Sequence, residues 1–159
     1  MFQRVTLIGR VGQDPQMRYT PDGVAVTSFT LATNETISKT GFDGKERPCP
    51  NGWKESYNGN NWELTTWWRV TCWRRLAETV NQYVTKGQQV FVEGQVSGDA
   101  VDGSQNPRVW TGNDGVARAS FELTAATIKF LGGRGDTSAG PPMGEPPPEG
   151  SIEEDTLPF

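Results

Sequence analysis

The chain has 159 residues, 34% of them hydrophobic and 21% charged, with 19 glycines and a net charge of −4. That size and composition suit one compact domain with or without a tail, and they exclude collagen, coiled-coil and wholly disordered classes. No run of 18 apolar residues occurs and Met1-Phe2-Gln3-Arg4-Val5 lacks a charged-then-apolar leader, so a soluble, cytoplasmic protein with no membrane role is expected.

Taken in order, residues 5–11 alternate apolar and polar and give a first strand. A turn through Gly12-Gln13-Asp14-Pro15 and a short Met17-Arg18-Tyr19 piece lead to Pro21-Asp22-Gly23, a strong turn signal. Residues 24–34 follow as a second long strand and 63–73 as a third, both rich in β-branched and aromatic side chains. Helical spacing is convincing in residues 75–85, where Leu76, Ala77, Val80, Tyr83 and Val84 share a face before Lys86-Gly87 ends the pattern. Residues 88–97 and 119–131 supply strands four and five.

Five strands with one short helix between the third and fourth predict an all-β chain folded as an oligonucleotide-binding (OB) barrel, a five-stranded Greek-key closure. Two long polar segments, residues 38–61 and 98–115, fall where such barrels carry ligand-binding loops. From Gly132 onward the chain is Gly, Pro and acid with almost nothing apolar until Leu157 and Phe159. It cannot bury enough surface to offset its ordering entropy, so domain 1–131 is expected to be followed by a disordered C-terminal linker and tip, 132–159. The tail holds one basic and six acidic residues, a net −5, which leaves +1 for residues 1–131. The acidity of the whole thus belongs to the tail and does not argue against a nucleic-acid-binding core.

Cys49 and Cys72 are too few for a disulfide framework, and with no histidine a zinc site lacks ligands. Both thiols are read as reduced, Cys72 as a small core residue and Cys49 as an exposed loop thiol. Histidine is also the commonest general base, and no phosphate-cradling Gly-Lys-Ser/Thr loop or spaced carboxylate pair occurs. No enzyme activity, metal or cofactor is therefore expected.

The third strand carries the most informative pattern. Alternation puts Thr65, Trp67, Arg69, Thr71 and Trp73 on one face, and Leu64, Thr66, Trp68, Val70 and Cys72 on the other. The second set reads as core, Trp68 included. The first brackets a guanidinium with two large rings about 20 Å apart and nothing apolar to pack them. Flat base faces and a negative backbone make single-stranded nucleic acid the fitting ligand, since stacking platforms beside cations bind it without reading sequence. Cationic candidates are Arg4, Arg10, Arg18, Arg69, Arg74, Arg75, Lys86 and Arg108, the last lying two residues before Trp110. Trp53, Tyr57 and Trp62 in the long loop either extend this surface or pin the loop down. Two other ligands remain open on these residues alone: a sugar, which also stacks on aromatic rings but responds little to salt, and RNA.

The same residues resemble the bacterial-type single-stranded DNA-binding (SSB) family. The likeness runs through Val5-Thr6-Leu7-Ile8-Gly9-Arg10-Val11-Gly12-Gln13-Asp14-Pro15, Phe29-Thr30-Leu31-Ala32-Thr33-Asn34-Glu35, Trp67-Trp68-Arg69-Val70, and Lys86-Gly87-Gln88-Gln89-Val90-Phe91-Val92-Glu93-Gly94. The resemblance implies a homotetramer that wraps single-stranded DNA, with base-stacking residues at Trp67, Trp73 and Trp110. A further family tryptophan corresponds to Ile37, so that platform is either missing or supplied by Phe42 or Trp53. Trp68 stands where the family often has a histidine near a subunit contact. The ending Glu153-Glu154-Asp155-Thr156-Leu157-Pro158-Phe159 resembles the family's acidic tip, which implies recruitment of DNA replication, recombination and repair proteins. A bacterial or phage source follows from the same resemblance.

Overall fold

Period-two alternation becomes β-structure almost where the sequence places it. In the computed structural model, the described residues are 2–98, 107–111, 115 and 117–131, with the side chains of Trp110 and Arg118 outside the description. The strands are β1 (Val5–Val11), β2 (Gln16–Tyr19), β3 (Ala25–Ser38), β4 (Lys54–Glu55) and β5 (Asn61–Trp73); after helix α1 (Arg74–Tyr83) come β6 (Gln89–Val96), β7 (Arg108–Thr111) and β8 (Ala117–Phe130). The expected linker and tip, 132–159, and residues 99–106 of the second loop lie outside the described residues.

Strands β1, β3, β5, β8 and β6 pair in a closed cycle, in which β5 and β8 run parallel and the other neighbours antiparallel. This is the expected five-stranded OB barrel, with β2, β4 and β7 added at its margins. Alternate residues fill it: Val11, Leu31, Val70, Cys72, Val90, Val92 and Leu123 have no exposed surface. Helix α1 plugs one end with Ala77 and Val80, and the buried Thr27 hydroxyl donates to the Ala77 carbonyl at 2.8 Å. The helix begins one residue before the expected start and stops two before the expected end, because Val84 turns extended and enters the core. Gly87, at φ +84°, then reverses the chain into β6.

The largest departure is the length of the β3–β5 hairpin. It continues past Asn34 to the pair Ser38–Asn61, four residues beyond the expected end of the second strand and two before the expected start of the third. Ile37 faces Trp62 there, and the Lys39 ammonium sits 4.5 Å above the Trp62 ring while pairing with Glu55 of β4. These cross-strand contacts hold as a β-arm what local polarity alone marks as loop. Among the described residues no helix is long and apolar enough to cross a membrane.

Candidate nucleic-acid interface

Register across five strands assembles one outer face. Thr65, Trp67, Arg69, Thr71 and Trp73 of β5 alternate with the buried Val70 and Cys72, as the sequence requires. The neighbouring strands add rows to it. Arg18, Val26 and Trp73 lie in register across β2, β3 and β5; Gln16, Ser28, Thr71 and Thr124 make the next row. Thr30, Arg69 and Glu122 form a third, and Arg10, Ala32 and Trp67 a fourth. The face thus brings together Trp67, Arg69, Trp73, Arg10 and Arg18 of the expected set.

Local geometry sets the two rings differently. Trp67 is half-buried and lies against Gly12, where a Cβ would meet the ring at 2.5 Å and the Thr30 hydroxyl at 2.8 Å. Gly12 therefore acts as the seat of that indole, a role its place in a turn did not signal. Trp73 stands 45% exposed at the last position of β5. Directly after it, Arg74 adopts φ +54°, a left-handed conformation that a side chain enters at a cost, and the chain turns into α1 with no side-chain cap. The turn leaves Trp73 at the rim and puts Arg74 and Arg75, both exposed, in the first helical turn.

The other tryptophans of β5 are engaged. Trp68 donates its indole N–H to the Thr33 hydroxyl at 3.1 Å and packs at 5.3 Å between ring centroids against Phe121. Trp62 donates to the Arg47 carbonyl at 3.1 Å beneath the Lys39 ammonium. Trp62 thus pins the arm down. Tyr57 and Phe42 do the opposite, standing open to solvent on the arm, and half-buried Trp53 donates its backbone N–H to the Pro50 carbonyl. Ile37 is half-buried opposite Trp62 and offers no platform.

The remaining cations are more scattered. Arg10 donates to the Gly87 carbonyl at 3.2 Å, and Lys86, whose backbone N–H bonds the Asp14 carboxylate, is exposed in the same turn. Arg108 is exposed on β7 opposite Ser120; Trp110 lies on the same strand opposite Arg118. Arg4 is not brought to the face: its guanidinium pairs with Glu93 at 3.2 Å and lies over the Phe2 ring. Sequence reasoning also passed over Glu122, which enters the face through the parallel β5–β8 pairing. Both cysteines are free, Cys49 exposed with its thiol 3.3 Å from the Trp53 carbonyl, and Cys72 buried. Burial without a partner charge pushes the Cys72 thiol up to about 12.

A face of unengaged rings between guanidiniums can stack planar ligand groups and neutralise an anionic backbone. Comparison with known proteins points the same way. The model of the Single-strand binding protein family matches residues 2–131. Two curated proteins named single-stranded DNA-binding protein, from serogroup A and serogroup B strains of Neisseria meningitidis, are each 37% identical to this chain over 144 residues. Each alignment covers 91% of this chain and 68% of the relative.

Proposed function

The chain belongs to the single-strand binding protein family, and from that membership we propose that it binds and protects single-stranded DNA without sequence specificity, during replication, recombination and repair. Bases stack on Trp67, Trp73 and Trp110, and the backbone is held by Arg69, Arg10 and Arg18, with Arg75, Lys86 and Arg108 extending the charged path. The observation that carries this reading is the pair Trp67 and Trp73, which flank Arg69 on one face with no side-chain hydrogen bond to either indole among the described residues. Duplex DNA offers no free base face to such platforms.

Two further parts of the reading rest on other features. Residues 5–8 of β1 pair with β6 on one side and with no strand on the other among the described residues, and Ile8 on that strand is 55% exposed. An open strand edge beside exposed apolar side chains supports association of copies, here into a homotetramer. The tip Glu153, Glu154, Asp155, Leu157, Pro158 and Phe159 pairs acidic charge with a terminal apolar anchor, a combination suited to a basic, apolar pocket on a partner repair or replication protein.

Intrinsic tryptophan fluorescence tests the central reading. Titration with oligo-dT at two salt concentrations should quench strongly, with log affinity falling by about 0.7 per phosphate neutralised for each unit of log salt. Duplex DNA and a neutral oligosaccharide serve as controls. A salt-independent response to the sugar, with none to oligo-dT, overturns it. Removal of residues 153–159 should spare DNA binding and abolish pull-down of partner proteins.

A further inference from the structure

The row Thr30–Arg69–Glu122 crosses the middle of the proposed stacking face and contains its one anomaly. A face built to meet phosphates has a carboxylate at its centre. Glu122 alternates with the fully buried Leu123, so its side chain shares the outer face with Arg69, its register partner on β5. The obvious structural use would be an ion pair with Arg69. Among the described residues no such pair forms; the salt bridges there are Arg4–Glu93 and Lys39–Glu55.

Instead, Glu122 Oε1 is shut off from solvent with no hydrogen-bond partner among the described residues, and so is the Thr30 hydroxyl on the other side of Arg69. Few buried polar atoms in a folded protein stay unpaired, and an acceptor left so is satisfied most directly by a donor brought by the ligand. Glu122 as a whole is half-buried on the outer face, so a rotation of its carboxyl group brings an acceptor oxygen to the side the bases would cover. A carboxylate only accepts hydrogen bonds. Among pyrimidines, the Watson–Crick edge of cytosine presents an amino group at N4, whereas thymine presents a single N–H between two carbonyl oxygens that repel a carboxylate.

We infer that Glu122 makes the base-stacking face base-selective at one position, favouring a base with an exocyclic amino group, cytosine among the pyrimidines, over thymine. Trp67 and Trp73 stack any base, Arg69 holds the backbone or a carbonyl edge, and the carboxylate between the strands accepts from the amino group. The inference rests on the single-strand binding proposed above.

Dissociation constants for oligo-dC and oligo-dT of equal length, measured at pH 8 by tryptophan quenching, test it in wild type, Glu122→Gln and Glu122→Ala. The ratio of dC to dT affinity should be about five- to tenfold higher in wild type than in Glu122→Ala. Glu122→Gln, which adds a donor that suits thymine, should lower the ratio as well and guards against a misfolded alanine variant. Tightening of both oligonucleotides by one common factor overturns the inference, since it makes the carboxylate a simple repeller of phosphate. An unchanged ratio overturns it too, and leaves single-strand binding standing. Failure of wild type to bind either oligonucleotide removes the binding proposal and this inference together.

Discussion

Strand β5 carries Trp62, Trp67, Trp68 and Trp73, and its two faces use the same residue in opposite ways. Trp62 and Trp68 have their indole N–H groups bonded, to Arg47 and Thr33, and their rings covered by Lys39 and Phe121. Among the described residues Trp67 and Trp73 have neither an indole hydrogen bond nor a ring or cation partner, although Trp67 is also half-buried. Burial alone therefore does not separate scaffold from platform; engagement of the polar edge does. A buried indole normally finds a partner for its N–H, so one left free beside a guanidinium marks a surface waiting for a ligand.

The sharpest way to break the comparison is Trp68→Ala. Removing a ring packed against the core should destabilise the fold by about 3 kcal/mol, read from urea unfolding, with DNA affinity of the folded protein unchanged. Loss of affinity at full stability would put Trp68 on the binding side. Trp67→Ala and Trp73→Ala should reverse the pattern: affinity for oligo-dT falls by about 1–3 kcal/mol each, with little change in the unfolding midpoint. Equal affinity in both variants would remove the stacking face.

Arg69→Ala sharpens the comparison further, because it keeps both platforms and deletes the charge between them. The plot of log affinity against log salt should become shallower by about 0.7 if the guanidinium neutralises one phosphate. Arg4→Ala, with its guanidinium already paired to Glu93, should leave that slope unchanged.

The parity of β5 was legible in the sequence because a half-buried strand must alternate, and neither face of residues 63–73 breaks the period. Strand order and the placing of α1 were legible for a similar local reason. The arm beyond Asn34 was not. Glu35-Thr36 and Ser38 have no strand signal of their own, and their conformation is stabilised by Trp62 and Lys54-Glu55, which lie 16 or more residues away along the chain. Gly12 and Glu122 were missed on the same ground. A seat for a ring and a carboxylate in a row exist only after β1, β3, β5 and β8 have paired, and local pattern carries no trace of a contact between residues 69 and 122.

The smallest effect under ordinary conditions belongs to Cys72, which shares the covered face of β5 with Trp68. If that face is closed, a thiol reagent at pH 8 should titrate Cys49 quickly and Cys72 only on unfolding, since the reactive thiolate is suppressed by burial. The pH dependence has a definite sign. The folded thiol ionises near 12, against 9.0 for an unperturbed one. Below pH 9 both states keep the proton and Cys72 gives no slope. Between pH 9 and 12 the unfolded chain releases its proton while the folded chain retains it, so stability falls as pH rises. Cys72→Ala isolates this contribution: wild type should lose stability more steeply than the variant above pH 9, and in parallel with it below. Parallel curves throughout would mean that Cys72 ionises as freely as an exposed thiol, and that the face holding Trp68 is open to water.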